Sequence, residues 1–185
     1  MVDISASQVK ELREKTGLGL MDCKKALQVS NGDIELAIEE LRKTSGLKAS
    51  KKSGRSAADG VIGSHIKDTD SCMVEVNCET DFVARDESFK AFVAEVLSEV
   101  VNHKDLSLED LLENGLEDKR EKLVQKLGEN IVVRRIARSV NSSDCSGLYI
   151  HSTNKIGAII SLEGGNTETA RDIAMHAAAT DPLSV

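Results

Sequence analysis

Apolar residues recur at positions 89, 92, 93, 96, 97, 100 and 101, the strongest helical pattern in the chain. The spacing predicts a long amphipathic helix, with Asp86 placed to cap its start. Three shorter stripes precede it. Ser5 and Gln8 form a capping box ahead of Val9 and Leu12, and Thr16-Gly17 ends that first helix. A second helix is predicted from Met21 to Val29, with Ala26 and Leu27 inward. Asn31-Gly32 is a turn signal, and Asp33 caps a third helix along Ile34, Ala37, Ile38 and Leu41. Between the first two helices, Gly17-Leu18-Gly19-Leu20-Met21 reads as a connector with exposed apolar side chains.

Further on, the period changes. Val61, Ile62 and Ile66, a turn at Lys67-Asp68-Thr69-Asp70, and Met73-Val74-Glu75-Val76 predict a β-hairpin. Ser107 caps a short helix through Leu111 and Leu112, and Leu116, Leu123 and Leu127 mark another. Ile131-Val132-Val133 is β-branched and reads as a strand. Leu148-Tyr149-Ile150 and the run from Ile156 to Leu162 predict a second hairpin around Ser152-Thr153-Asn154. A last helix starts at Asn166 or Thr167 and passes through Ile173 and Ala177. Two antiparallel hairpins among helices place the chain in the α+β class. No internal repeat is evident.

Composition narrows the function. The chain has 185 residues, 40% apolar and 30% charged, a globular balance. Its formal net charge of -7 argues against a nucleic-acid coat. The charge is uneven: residues 1–60 carry 11 basic and 9 acidic side chains, and residues 61–185 carry 13 and 22. Between Leu41 and Ala58 stand Arg42, Lys43, Lys48, Lys51, Lys52 and Arg55 with no acid, among Ser, Gly and Ala, which marks a boundary or linker. No Trp, one Tyr and three Phe exclude a base-stacking platform.

Cys23, Cys72, Cys78 and Cys145 form no C-x-x-C pair, and the four His are scattered, so a zinc site is not expected; buried thiols in a reducing cytosol are. No signal peptide and no apolar run of ~18 residues is visible, so neither secretion nor a membrane span is expected. Asn141-Ser142-Ser143 then matches a glycosylation sequon only by chance. Phosphate loops, dinucleotide fingerprints and nucleophile elbows are missing. Asp105, Glu109, Asp110 and Glu113 read as a solvated helix face. A binding protein is favoured over an enzyme, with no cofactor and no metal.

One segment, Asn77-Cys78-Glu79-Thr80-Asp81-Phe82-Val83, lies between a strand and the long helix. Thr80 is a suitable N-cap, which puts Asp81 in a first helical turn, where the macrodipole favours a carboxylate. Two readings of Phe82 stand. Seven residues before Phe89, it continues the apolar stripe as core. Alternatively, Asp86 restarts the helix, and Thr80 to Arg85 form a separate turn presenting an aromatic knob beside a carboxylate. Such a pair could wedge into a partner's pocket and compete for a bound cation.

These residues belong to a longer series. It begins with Val9-Lys10-Glu11-Leu12-Arg13-Glu14-Lys15-Thr16-Gly17, Met21-Asp22-Cys23-Lys24-Lys25-Ala26-Leu27, Asn31-Gly32-Asp33 and Ala57-Ala58-Asp59-Gly60. The central signature runs from Glu75 to Ala84, and Gly128-Glu129-Asn130-Ile131, Tyr149-Ile150-His151 and Ile173-Ala174-Met175-His176 follow. In this order and over essentially the whole length, the chain resembles bacterial-type elongation factor Ts, the guanine nucleotide exchange factor for elongation factor Tu.

The resemblance implies a ubiquitin-associated-like three-helix domain over residues 1–54 with the basic linker at its end. A first core subdomain over 55–140 and an incomplete second one over 141–185 would follow. It implies that Thr80, Asp81, Phe82 and Val83 disturb the magnesium site and phosphate loop of the GTPase, with Phe82 entering an apolar pocket. It also implies that Arg13, Leu20 and Met21 dock on a helix of the GTPase domain, and that His151 adds a further contact. The expected partner is the GDP-bound elongation factor Tu, in the cytoplasm. No direct nucleotide binding, nucleic acid, membrane or catalytic residue is expected.

Two departures stand beside the resemblance. The chain stops at Pro182-Leu183-Ser184-Val185, where family members continue. The turn after His151 reads Ser152-Thr153-Asn154-Lys155 where relatives often place glycine, and Asn tolerates the left-handed backbone such a turn needs. The competing expectation is a truncated, non-exchanging binding module that docks a partner or RNA through the N-terminal helices and the basic linker.

Overall fold

The structure, a computed structural model, describes residues 4–67, 70–139 and 144–182. The turn residues Asp68 and Thr69, the sequon at Asn141-Ser142-Ser143 and the final Leu183-Ser184-Val185 lie outside the described residues. The described elements are helices and antiparallel strands, as the α+β reading expects. Contacts divide the chain into two units: residues up to Ser56 with Glu117–Ile131, and Ala57–Leu116 with the residues from Val132 on. Residues 117–131 fall inside the span 55–140 yet cluster with the N-terminal helices.

The first unit holds α1 (Ala6–Thr16), α2 (Leu20–Val29), α3 (Ile34–Lys52) and α7 (Glu117–Leu127). The capping box at Ser5 and Gln8 is formed, and Asp33 caps α3 through the Leu36 N–H. Val9, Leu12, Cys23, Ala26, Leu27, Ala37 and Leu41 make its small core, joined by Leu18. Leu18 is only 2% exposed, which corrects the reading of the whole connector as exposed. Gly17, left-handed at φ 68, turns the chain out of α1, and Leu18 is buried while Leu20 and Met21 are exposed.

The linker expectation for the basic stretch is also corrected, because α3 continues through it to Lys52. The physical reason is a second stripe. Leu41, Ser45 and Ala49 follow at four-residue spacing and are buried along the face that meets α7. Lysines at the last turn also suit the negative end of the helix dipole. The hydroxyl of Ser45 bonds the Gln125 side chain, and Gln125 Nε2 donates to Asp22 Oδ2 at 3.0 Å, which also takes Lys48 Nζ at 3.0 Å. Arg42 pairs with Asp118 at 2.7 Å.

The second unit is built on two antiparallel sheets. β1 (Asp59–Lys67) and β2 (Asp70–Cys78) pair in full register, Val61 opposite Val76 and His65 opposite Cys72. β3 (Val132–Arg138) adds to the free edge of β2 with a bulge between Glu75 and Val76. β3 runs five residues beyond the predicted Ile131–Val133 stretch, through Arg134, Arg135, Ile136, Ala137 and Arg138. Glu75 offsets two of these charges, at 3.7 Å from Arg134 and 2.6 Å from Arg135. Helix α5 (Glu87–Asn102) covers β1 and β2 with Phe89, Phe92, Val93, Val96 and Val100, all buried. Burying each such side chain stabilises by about 1.5–3 kcal/mol. The short α6 (Leu108–Leu111) starts at the Ser107–Asp110 capping box.

The second sheet pairs β4 (Cys145–Ile150) with β5 (Gly157–Leu162), backed by α8 (Thr167–Thr180). The Asn154 turn residue takes φ 56, the left-handed conformation that its amide side chain tolerates. The buried hydroxyls of Ser71 and Ser146 join the two sheets. Among the described residues, no helix is long and apolar enough to cross a membrane.

Two predictions follow from this packing. At Gly147 an added Cβ would lie 2.1 Å from the Ala170 carbonyl carbon and 2.3 Å from the Arg171 nitrogen, so β4 and α8 approach as only glycine allows. Gly147→Ala is expected to lower stability by about 1–3 kcal/mol or more in denaturant unfolding. Gly54→Ala, where a Cβ meets open space, is expected to leave it unchanged. At Asp22, burial works to raise the carboxyl pKa, but the bonds from Gln125 and Lys48 outweigh it and hold the group below its usual range. Its contribution is therefore complete above the ordinary Asp value of about 3.9 and is lost as pH falls through the lower folded value. Acid unfolding should show this loss, and Asp22→Asn should remove it.

Candidate functional site

The residues Glu79 to Arg85 leave the end of β2 and make a single helical turn, α4 (Asp81–Arg85). Thr80 is extended, at φ -129 and ψ 157, and its hydroxyl accepts from the Val83 N–H at 3.4 Å. The Cys78 thiol, fully buried, donates to the Thr80 carbonyl at 3.2 Å, and that carbonyl also accepts the Ala84 N–H at 3.2 Å. Val83 and Ala84 turn inward and fix the turn to the sheet.

Asp86 then interrupts the helix. Its backbone stands at φ -64 and ψ 136, its N–H donates to the Val83 carbonyl at 2.9 Å, and Oδ1 accepts from Ser88 and Phe89 at 2.7 and 3.3 Å. One residue closes α4 and opens α5. The consequence falls on Phe82, which is 80% exposed, whereas Phe89 and Phe92 are buried. Of the two readings, the separate turn is the one the structure adopts; the core reading is overturned because the helix axis does not run through Asp86. Asp81 lies beside Phe82 and pairs across the turn with Arg85 at 2.8 Å.

A groove of about 450 Å³ runs beside this turn, lined among others by Asp59, Asp81, Arg85, Thr153, Asn154 and Lys155. It brings the turn after His151 next to Asp81. Lys155 Nζ donates to Asp59 Oδ2 at 2.9 Å, and the Ile62 N–H donates to the Asn154 carbonyl at 2.7 Å. The bond from Lys155, helped by the Gly60 N–H, holds the Asp59 carboxyl below its usual range. His151 is half-buried, and its Nδ1 accepts from the Thr153 N–H at 3.3 Å, inside the same turn.

Arg85, Asp59 and Lys155 were not singled out as site residues by the sequence. Only Arg85 carried a local signal, an acid–base pair four residues apart. Arg13, Leu20 and Met21 lie in the first unit and are all exposed, Leu20 by 52% and Met21 by 61%. Leu20 and Met21, exposed beside the buried Leu18, put two apolar side chains in water at the start of α2. Among the described residues, no three His, Cys, Asp or Glu side chains gather as a metal site. The acids Asp105, Glu109, Asp110 and Glu113 are solvent-exposed.

The family model of elongation factor Ts matches residues 79–185, more than half of the chain. The chain belongs to the elongation factor Ts family. It is 56% identical over 187 aligned residues to elongation factor Ts of Hahella chejuensis, covering 100% of this chain and 65% of that protein. It is 53% identical to the Marinobacter nauticus protein and 52% to that of Saccharophagus degradans, each over 98% of this chain and 63% of the relative. The chain thus spans less than two thirds of the length of these relatives. Thr80 to Val83 and His151 lie inside the span of the elongation factor Ts family model. Arg13, Leu20 and Met21 precede it, within the whole-chain alignment to the Hahella protein.

The double cap makes a stability prediction separate from any partner. Asp86→Ala is expected to cost about 1 kcal/mol, up to ~2, measured by denaturant unfolding, since α5 loses the side chain that closes two of its free N–H groups. Asp86→Asn or Asp86→Ser should recover most of that loss.

Proposed function

We propose that this chain promotes release of GDP from elongation factor Tu in translation elongation, as a guanine nucleotide exchange factor. One observation carries the reading: Phe82 stands 80% exposed on a turn rigidly tied to the sheet, with the Asp81 carboxylate beside it. A large apolar side chain held out in water has its energetic return at an interface. In the proposed encounter, Phe82 enters an apolar pocket of the GTPase and shifts a helix. Asp81 approaches the magnesium site and disturbs its coordination. The phosphate loop loosens and GDP leaves. Thr80 and Val83 hold the turn from below, and His151 adds a contact from the neighbouring turn.

Arg13, Leu20 and Met21 form the second contact, docking on a helix of the GTPase domain. Two exposed apolar side chains at a helix start suit docking against the apolar stripe of another helix. Linkage binds the two partners' affinities together: a factor that weakens GDP binding is itself weakened by GDP, by the same factor. Nothing is chemically transformed, so the chain acts without a catalytic residue or cofactor, in the cytoplasm where translation proceeds. The competing reading as an RNA-docking module loses support from the charge pairing on α3. Arg42 and Lys48 are spent on Asp118 and Asp22 rather than offered to phosphates.

The test is release of a fluorescent GDP analogue from elongation factor Tu. The 185-residue chain should accelerate release, and Phe82→Ala should slow it about tenfold, equivalent to ~1.4 kcal/mol of barrier. The thermal midpoint of that variant should stay near that of the parent, because truncating an exposed side chain changes stability by no more than about 0.5 kcal/mol. A folded chain that leaves the release rate unchanged overturns the proposal. A loss of ~3–5 kcal/mol on Phe82→Ala would mark it as core instead.

A further inference from the structure

Asp86 occupies a core position in the stripe of the long helix. Phe82, Asp86, Phe89, Val93, Val96 and Val100 follow one another at alternating intervals of four and three residues. That spacing keeps to one face of a helix. Phe89, Val93, Val96 and Val100 are buried on the face of α5 that covers β1 and β2. Asp86 is the one polar member of the series, and it separates the exposed ring of Phe82 from the first buried ring, Phe89. A helix running unbroken through residue 86 would carry this carboxylate on the face that meets the sheet.

The side chain therefore bears on both arrangements of the segment. In the broken one, Asp86 is half-buried, and its Oδ1 accepts from the N–H groups of Ser88 and Phe89. Its own N–H still donates to the Val83 carbonyl, and its carbonyl accepts from the Lys90 N–H at 3.0 Å. In an unbroken helix the Ser88 and Phe89 N–H groups would turn to the carbonyls of Ala84 and Arg85, four residues back. The carboxylate would lose both donors and face an apolar layer, where an unpaired charge is costly. An apolar residue at 86 has neither effect. It offers no oxygen to the cap, and it completes the stripe from Phe82 to Val100.

We infer that Asp86 is a positioning residue: through its cap and its charge it keeps α4 and α5 from joining, and so holds Phe82 outside the core, within reach of a partner. It acts through Phe82 and makes no partner contact of its own. Its consequence for GDP release rests on the proposed exchange function; its hold on Phe82 is a property of the chain alone. Loss of an ordinary cap frays a helix end. Loss of this one redirects an aromatic side chain.

The experiment compares the 185-residue chain with Asp86→Leu, Asp86→Asn and Asn166→Ala. The last removes the matching cap of α8, where Asn166 Oδ1 accepts from the Thr169 N–H at 2.8 Å. NMR follows the Cα shift of residue 86 and the broadening of the Phe82 ring signals by a water-soluble paramagnetic agent. Release of a fluorescent GDP analogue from elongation factor Tu is measured over a range of chain concentrations, which separates the maximal rate from the concentration for half-maximal effect. In Asp86→Leu the Cα shift should become helical, the ring should lose its broadening, and the maximal rate should fall about tenfold, as for Phe82→Ala. Asp86→Asn should match the parent in all three, since an amide oxygen caps as well as a carboxylate. Asn166→Ala should lower stability and leave all three unchanged. A folded Asp86→Leu chain that keeps the extended shift at 86 or the parent's maximal rate overturns the inference. So does an Asp86→Asn chain that keeps the parent's shifts but loses rate, which would give the charge a direct part. Should Asp86→Leu fail to fold, Asp86→Ala is judged by the same criteria, with a fall of about threefold expected. A parent chain that leaves release unchanged defeats the exchange reading alone. The NMR arm then decides for Asp86: a helical shift with a shielded ring in Asp86→Leu supports its hold on Phe82, and an extended shift overturns it.

Discussion

Most of what distinguishes this chain depends on one carboxylate. Asp86 terminates a five-residue turn with its backbone and starts a sixteen-residue helix with its side chain. An extended backbone at that residue breaks a stripe that would otherwise run from Phe82 to Phe89 on one face. The apolar energy of α5 is then collected by Phe89, Phe92, Val93, Val96 and Val100 alone. Phe82 gains nothing from the core. Val83 and Ala84 do the anchoring on its behalf, which leaves the ring presented on a short, well-tied support. In the proposed encounter, a preorganised aromatic would lose little conformational freedom on meeting a partner.

The sequence made the regular elements legible because their patterns were locally sufficient. The capping box at Ser5, the Ser107 and Asp33 caps and the stripe of α5 all stand where periodicity and cap chemistry put them. Phe82 was not decidable, since a seven-residue interval is two turns of helix whether or not an intervening residue breaks it. The helical course of residues 42–52 was hidden for a different reason. Its apolar face holds Ser45 and Ala49, small residues that read as linker composition until α7 is seen against them. Leu18 looked exposed between two glycines, yet it is the side chain that closes the small core. In each case the missing information is a contact distant in sequence, which a stripe cannot report.

Charge behaves similarly. A run of six cations without an acid suggests a surface for phosphates, and counterion release would reward it. Folding changes that account, because α7 brings Asp118 to Arg42, and Asp22 takes Lys48 together with Gln125. These pairs are partly exposed and each contributes little stability. Their larger effect is on what remains available: two of the six cations, Arg42 and Lys48, are already paired. The net excess of acid in residues 61–185 points the same way.

The two turns of the second unit carry a further consequence for the proposed exchange. The Asp81 turn and the His151 turn come from different sheets, separated by about seventy residues of sequence, and either alone could drift. The Ile62–Asn154 bond and the Lys155–Asp59 pair fix the second turn to β1, while β2 and Cys78 hold the first. Because β1 and β2 pair without a register shift, the two turns share one rigid reference. In the proposed exchange, a partner that engages both would meet them at this fixed spacing.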